Sequence, residues 1–426
     1  MKMTFRIYKL QNFLEYPELA FKWTFFEPFV WSGNQHRHQP SYGLQMKRLI
    51  YIFITSTLAA QVLALFFNLY VTHNSLETES NESGESDLFE ALALMCFFSS
   101  GLYKMWNIFW RRDDIGRVLE ELKELFPSAT IQTKLAEAND YKTELKRGTG
   151  GCYRFTYYDQ KSRTLMGRLA RYFTFSYTYY NLVPVVQLIY EMFSPNQSIT
   201  YTAQTNAWYP FHNQNKHSTF IGFVMSFFVQ SAAEYAGAGF VMCGIFLILF
   251  LTTQMKLHFD YLASALETLD ASAPDALKQL KRLINYHNHL LRLCKDINDI
   301  FNLTFTLDLI VATIAISLMG LTMIMISFSR AVMYSAGVSF FLINTYVFCK
   351  NGDELTTVTE KLSTALYYSN WYEGSVEYRR MIIFFIMRTS RPCEYQAYGY
   401  TVISMETYMR ILKLSYQLFT AFGALD

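Results

Sequence analysis

Long apolar runs alternate with charged stretches along most of this 426-residue chain. Roughly 20 apolar residues, each adding about 1.5 Å to a helix, are enough to cross the hydrocarbon core of a bilayer. Segments of this kind occur at Leu49–Val71, Leu88–Trp110, Leu169–Phe193, Ser218–Thr253, Phe301–Phe328, Ala331–Phe348 and within Gln396–Asp426. The pattern therefore predicts an all-α membrane protein with seven transmembrane helices.

Lys and Arg residues are distributed unevenly between these segments, which predicts how the chain is oriented. The connections on one side of the membrane hold thirty-two of them, and those on the other side hold two. The leader up to Arg48 lies on the rich side, so we predict a cytoplasmic N-terminus. Seven crossings would then leave the C-terminus outside the cell.

Sequons and cysteines agree with this orientation. The sequons at Asn81 and Asn196 lie in predicted outer connections, so both asparagines are predicted to carry glycans, whereas the sequon at Asn302 lies at a span end. No cysteine is placed to form a disulfide in an outer loop, because all six fall in predicted spans or cytoplasmic segments. They are Cys96, Cys152, Cys243, Cys294, Cys349 and Cys393.

Several helices are predicted to continue into the cytoplasm. Ser218–Thr253 has 36 residues, about 54 Å of helix against a core of about 30 Å, and should run on through Asp260. Leu277–Ile300 carries an apolar stripe and leads into the fifth span without a break. We therefore predict five parts: the leader and spans one to four with an outer ligand pocket (1–254), anchor helices (255–300), spans five and six (301–349), further anchor helices (350–395) and a pore-lining last helix (396–426).

The sequence carries no pattern typical of catalysis or of metal binding. His287 and His289 are two residues apart on a predicted helix and point in different directions, and the pair His36 and His38 is isolated. Neither pair has the i,i+4 spacing of a helical metal site, and no glycine-rich phosphate loop occurs. We predict that the protein is not an enzyme and needs no cofactor.

The outer halves of spans two, three, four and six are rich in aromatic, Met and small polar residues. Apolar cavities with a few convergent polar groups bind small organic ligands, so a pocket is predicted there; ordinary bundle packing is the alternative. The candidate ligand-binding residues are Met95, Phe98, Tyr177, Tyr180, Asn181, Phe223, Phe227, Gln230, Tyr334, Val338 and Phe341.

The last segment carries charges where a lipid-facing helix would be apolar. Glu406, Arg410 and Lys413 lie near its middle, where ionisable groups should face protein or water. A narrow stripe shares one face and could form an apolar constriction in an aqueous pore, which can gate by dewetting. It consists of Met409, Tyr416, Phe419 and Gly423. The alternative is a packing helix whose charges reach the membrane interface.

Short motifs recur in a fixed order along the chain. They are Trp208-Tyr-Pro-Phe, the region of Asp260, Ile284-Asn-Tyr-His287, Cys349-Lys-Asn-Gly352, Leu366-Tyr-Tyr-Ser-Asn-Trp371, Met387-Arg-Thr-Ser-Arg-Pro392 and Lys413-Leu-Ser-Tyr416. On these motifs the chain resembles the insect odorant receptor family, most closely at its C-terminal end. The terminal Ser415-Tyr416 with Phe419 favours this family over the related gustatory receptors.

The resemblance implies a ligand-gated, non-selective cation channel in the plasma membrane of sensory neuron dendrites. It implies a heterotetramer of tuning subunits, such as this chain, with a shared odorant receptor co-receptor, opened by a small volatile organic ligand. The last helices would line the central pore. The family usually has a branched aliphatic residue where this chain has Phe419 and Gly423, so the co-receptor's side chains could form the tight constriction instead.

Two alternatives remain for the function. A gustatory-type receptor channel would share the architecture. A receptor that signals through G proteins would keep its N-terminus outside, and it would carry an outer-loop disulfide, Asp-Arg-Tyr after span three and Asn-Pro-x-x-Tyr in span seven, none of which occurs here.

Overall fold

The computed structural model describes residues 9–26, 42–76, 82–127, 153–193, 201, 204–205, 207–209, 219–325 and 328–423. Its helices are α1 (Leu10–Phe13), α2 (Glu15–Trp23), α3 (Tyr42–Leu76), α4 (Glu82–Trp110), α5 (Arg112–Leu125), α6 (Phe155–Phe193), α7 (Phe220–Glu267), α8 (Ala276–Met325), α9 (Phe328–Tyr368), α10 (Val376–Thr389) and α11 (Met405–Gly423). A 3₁₀ turn covers Trp371–Glu373, and the strands β1 (Gln396–Ala397) and β2 (Thr401–Val402) pair antiparallel.

Four helices in the described part of the chain are long and apolar enough to cross a membrane, judged by length and composition. They contain Gln45–Thr72, Leu88–Trp110, Phe220–Glu267 and Ala276–Ile324. Of the other three predicted spans, those at Leu169–Phe193 and Ala331–Phe348 lie within α6 and α9, and the last one contains α11. The helices α6, α9 and α11 do not meet the same criterion of length and hydropathy. A count of seven crossings therefore stays a prediction.

Helix α7 forms the centre of the bundle. Every side chain from Phe240 to Asp260 is buried, and α3, α4, α6 and α9 pack around this helix. Small residues allow α4 to approach it closely, because a Cβ atom at Gly101 would lie 2.9 Å from the carbonyl oxygen of Gly237. The absence of a side chain at both glycines therefore lets the two helices pack backbone to backbone.

Several helices, among them α7, α8 and α9, extend far beyond the thickness of a bilayer. Helix α7 has 48 residues and α8 has 50, which at about 1.5 Å each exceeds twice a core of about 30 Å. The predicted continuation of the fourth segment through Asp260 is confirmed, as is the unbroken passage from Leu277 into the fifth span. Helix α9 joins the sixth predicted span to the first anchor helix that follows it.

The last helix is shorter than predicted, and the all-α description needs one correction. Gln396–Val402 forms a hairpin, and the helix begins only at Met405. The turn places Tyr398 at φ 48° and Gly399 at φ 72°, and this left-handed conformation is incompatible with a helix. Over the described residues the fold is therefore helical with one two-stranded hairpin.

Residues 9–26 of the leader fold back onto the bundle, which the sequence analysis missed. Helix α2 packs against α7, where the Tyr235 hydroxyl donates a hydrogen bond to the carbonyl oxygen of Trp23 at 2.6 Å. The Tyr16 ring meets Phe246 edge-on, with centroids 6.1 Å apart. The N-terminal segment thus closes one side of the helix bundle.

Replacing Gly352 of α9 by valine should destabilise the junction between α9 and the hairpin. A Cβ atom at this position would lie 2.4 Å from the carbonyl oxygen of Ile403, which a rigid backbone cannot clear. We expect a loss of about 1–3 kcal/mol and a lower thermal unfolding temperature in detergent. Gly116→Ala in α5 is the control, because nothing lies within 4 Å of its added methyl group. Equal stability of the two variants would contradict this packing.

Candidate ligand site

A cavity of about 90 Å³ lies between α4, α6, α7 and α9, with α8 contributing one side chain. Pockets for drug-sized ligands measure roughly 300–1,000 Å³, so this cavity suits a much smaller molecule. Eight of its fifteen lining residues are aromatic. The lining consists of Leu94, Phe97, Phe98, Phe173, Ser176, Tyr177, Tyr180, Glu234, Ala238, Met319, Tyr334, Ala336, Gly337, Phe340 and Phe341.

Aromatic rings hold three of these helices together at the cavity. The Phe340 ring of α9 contacts Phe97 of α4 and Phe173 of α6 edge to face, with centroids 5.2 Å and 5.5 Å apart. Phe341 meets Phe340 almost perpendicularly at 5.2 Å. Such pairs are worth about 0.5–1.5 kcal/mol beyond their buried area, so the wall is formed before any ligand binds.

Two buried polar atoms in this wall have no hydrogen-bond partner among the described residues. They are the hydroxyl of Tyr180 and Oε1 of Glu234. The other carboxylate oxygen of Glu234 accepts a hydrogen bond from Asn181 Nδ2 at 2.8 Å. Because an unsatisfied buried polar atom costs about 1–3 kcal/mol, a bound molecule that pairs with one gains affinity.

A network of amides and hydroxyls holds Asn181 in place behind Glu234. Gln204 Nε2 donates to Asn181 Oδ1 at 2.9 Å and to the hydroxyl of Ser231 at 2.8 Å. Gln230 exchanges two hydrogen bonds with the backbone of Thr205, each 3.1 Å long. The segment before Trp208 is thereby tied to α6 and α7 next to the cavity.

The connection between α6 and α7, which contains Trp208, is also attached to α3. The backbone nitrogen of Trp208 donates to the carbonyl oxygen of Ala64 at 3.3 Å, and the Tyr209 hydroxyl donates to Gln61. Ala207 and Tyr209 are buried. The described residues of this connection therefore pack against the helix bundle.

The structure brings five of the eleven predicted ligand-binding residues together in the cavity: Phe98, Tyr177, Tyr180, Tyr334 and Phe341. Asn181 and Gln230 belong to the adjoining amide network. Met95 and Val338 are half-buried against the core. Phe223 and Phe227 contact each other near the N-terminal end of α7, with centroids 6.0 Å apart. None of these last six lines the cavity.

Glu234 is the lining residue with chemistry that the sequence analysis passed over. It is an acid inside a long apolar segment, and such residues usually face a cavity or a partner. That signal was available from the sequence.

The predicted pore residues differ in their surroundings on α11. Met409 and Tyr416 are exposed on this chain, 62% and 66% respectively. Phe419 is half-buried and lies against α8, where a Cβ atom at Gly320 would be 3.3 Å from its ring. Gly423 is the last residue of the helix. Asn81 and Asn196, the predicted glycan sites, lie outside the described residues.

One face of α11 binds α8 and another face is polar and exposed. Ser317 donates to the carbonyl oxygen of Ser415 at 2.8 Å, and Ser415 donates to that of Thr313 at 3.2 Å. A polar stripe with spacings of three and four residues runs along the exposed face. It consists of Glu406, Arg410, Lys413, Gln417 and Thr420.

These features define a helical membrane protein with a small aromatic cavity, and the comparisons with known proteins identify its family. The sequence profile described as 7tm Odorant receptor matches residues 86–416. The chain belongs to this odorant receptor family. Its members are receptors and not enzymes, as the sequence analysis predicted.

Relatives and solved structures agree with this assignment. The chain is 29% identical over 417 residues to putative odorant receptor 69a, isoform A, of Drosophila melanogaster, covering 98% of this chain and 100% of the relative. It is 25% identical over 338 residues to odorant receptor 85c of the same species, covering 78% and 81%. The fold is similar to that of the olfactory receptor OR5 from Machilis hrabei in complex with eugenol, with a TM-score of 0.72, 12% identity and 98% of both chains covered.

Proposed function

We propose that this chain is the odorant-binding subunit of a ligand-gated, non-selective cation channel. It would assemble with the shared co-receptor as a heterotetramer in the plasma membrane of sensory neuron dendrites. The observation that carries the proposal is the aromatic cavity, which contains two buried polar atoms without a partner among the described residues. An apolar cavity with one or two polar groups matches the chemistry of a small volatile organic molecule.

The ligand would be a small, mainly apolar molecule with one hydrogen-bonding group. Its apolar part would contact the rings around Phe340, and its polar group would pair with Tyr180 or Glu234. The Machilis hrabei receptor was solved with eugenol, a molecule of this general kind. A ligand for this chain would have to fit a cavity of about 90 Å³ or widen it.

The cavity and the last helix meet through neighbouring residues of α8. Met319 lines the cavity, and the next residue, Gly320, contacts Phe419 of α11. A ligand opens the channel only if it binds the open state more tightly than the closed state. We propose that the ligand shifts Met319 and thereby the contact between Gly320 and Phe419.

The polar stripe of α11 would line the pore, together with Met409 and Tyr416. This arrangement needs seven crossings with the N-terminus inside and the C-terminus outside, as the distribution of Lys and Arg predicts. The long inner ends of α7, α8 and α9 would then form the cytoplasmic anchor, where subunits would meet.

A cysteine at Gln417 should react with a water-soluble thiol reagent faster when odorant is present, because its side chain lies on the polar stripe. The measurement is the rate at which the reagent changes the current. Ile411→Cys is the matched control, since Ile411 is 6% exposed and faces the bundle. Equal reaction rates at both positions, with and without odorant, would show that α11 does not line the pore.

The experiment that tests the function is current recording from cells exposed to an odorant panel, with this chain expressed alone and with the co-receptor. We expect odorant-evoked cation current when both are present. Tyr180→Phe, which removes only the hydroxyl, should weaken the response to hydrogen-bonding odorants. An unaltered response to every odorant would place the ligand elsewhere.

A further inference from the structure

A second, larger cavity lies between α6, α7 and α9, at the ends predicted to be cytoplasmic. Its volume is about 690 Å³. Its lining comes from residues 157–168 of α6, 249–256 of α7 and 346–354 of α9. It shares no lining residue with the aromatic cavity described above.

Positive charge dominates this cavity. Four cationic side chains (Lys161, Arg168, Lys256 and Lys350) face one carboxylate, that of Glu354. Neighbouring acidic side chains do not neutralise this excess of positive charge. Asp159 is paired with Arg163 at 2.8 Å and Asp260 with Arg154 at 3.5 Å, and neither acid lines the cavity.

Glu354 is already shared by two of the four cations. Lys161 Nζ and Lys256 Nζ each lie 2.9 Å from one of its carboxylate oxygens. Burial acts to raise the pKa of Glu354, but the two lysines outweigh it and lower that pKa, so the carboxylate is ionised at neutral pH. The negative charge of Glu354 is therefore already paired with these two lysines.

The other two cations have no carboxylate partner among the described residues. Lys350 Nζ lies 3.0 Å from the hydroxyl of Tyr346, and Arg168 is exposed at the rim. An anion with several oxygens could therefore bind both without displacing an existing ion pair. Guanidinium and ammonium groups bind phosphate in this way.

The surroundings point to a lipid as the source of that anion. Tyr157 and Tyr346 beside basic residues are typical of a membrane interface. From Arg168, an outward face of α6 continues through Phe175 and Leu182 at intervals of seven residues, and these side chains are 68% and 54% exposed. An acyl chain could lie along this apolar face while its headgroup occupies the basic cavity.

We propose that this cavity binds the phosphorylated headgroup of an anionic phospholipid of the cytoplasmic leaflet. Arg168 and Lys350 would contact phosphate directly, and Lys161 would contribute from the cavity wall. Basic pockets between membrane helices on the cytoplasmic side bind phosphorylated headgroups in this manner. The proposal rests on the inner orientation proposed above, but it does not depend on odorant binding.

The test is binding of a fluorescent phosphatidylinositol bisphosphate to the full-length receptor in phosphatidylcholine nanodiscs. Arg168→Gln with Lys350→Gln should weaken binding about tenfold or more, since each cation near the surface contributes. The matched control is Arg379→Gln with Arg380→Gln on α10, two exposed arginines outside the cavity. It removes the same charge and should bind like the unaltered receptor.

Soluble inositol trisphosphate distinguishes the two sources of phosphate. It should compete at least about tenfold more weakly than the lipid, because it lacks the acyl chains that contact α6. Equal competition would overturn the lipid assignment in favour of a free phosphate ligand. Equal weakening by both double variants, or no lipid binding at all, would overturn the site. Lipid binding by a receptor that gives no odorant current would refute the proposed function alone.

Discussion

Lys104→Met is expected to remove most of the receptor from the cell surface. Lys104 is 1% exposed on α4 and forms an ion pair with Asp308 of α8, which is 13% exposed. The Lys104 ammonium also lies 3.3 Å from Ser100 and 3.1 Å from the Tyr103 hydroxyl. Loss of one partner of a buried pair costs about 3–5 kcal/mol, because the remaining charge stays buried without its counter-ion. Surface labelling and thermal unfolding in detergent would measure the loss.

The double variant Lys104→Met with Asp308→Leu provides the control. Removing both charges leaves no uncompensated ion, and methionine retains the packing of the Lys104 stem against Gly244. We expect the double variant to recover most of the stability and surface level. If it is as unstable as the single variant, the pair has a role beyond charge neutralisation. If the single variant is fully stable, the pair is not buried as described.

Ala238→Phe is expected to abolish odorant responses while the protein still folds. Ala238 lines the aromatic cavity one helical turn from Glu234, and a phenyl ring there would occupy much of the space of about 90 Å³. The ring would take the place of the ligand, so sensitivity should fall by more than about 100-fold, beyond the effect of a single apolar contact. Because the space is already open, overpacking should cost less than the roughly 1–3 kcal/mol usual in a filled core.

Ala232→Phe on the same helix is the matched control. Ala232 is half-buried and does not line the cavity, so the variant should keep the odorant response and a normal surface level. If Ala238→Phe responds normally to the whole panel, the ligand binds outside this cavity. If both variants lose their responses, the loss comes from a general disturbance of α7 and not from filling the cavity.

The lengths and continuity of the long helices could be predicted from the sequence because both depend on local patterns. The apolar run from Ser218 exceeded one bilayer, and the stripe from Leu277 passed without a break into the fifth span. The hairpin before Met405 is not evident from the sequence, because Tyr398 and Gly399 directly precede the helical spacing of the last segment. Gly399 was the available turn signal, but it was outweighed by the helical spacing that follows.

The candidate site was harder to predict because it depends on how helices cross. Periodicity placed Tyr180 and Phe227 among aromatic outer halves, but only the packing of α4, α6, α7 and α9 shows that Tyr180 lines the cavity and that Phe227 does not. In the same way, the contact of Phe419 with Gly320 follows from the approach of α11 to α8. The spacing of residues along a helix shows which side chains share a face. It does not show which other helix packs against that face.

The most direct test of the proposed function is to apply odorant, in the pipette solution that faces the outer side, to excised inside-out membrane patches that contain this chain and the co-receptor. The bath facing the cytoplasmic side would hold no nucleotide, which removes signalling through G proteins. If ligand binding opens a pore within the receptor itself, odorant should evoke a non-selective cation current in these patches, and Ala238→Phe should abolish it. A current present in intact cells but lost on excision, and restored by adding GTP, would contradict the channel function.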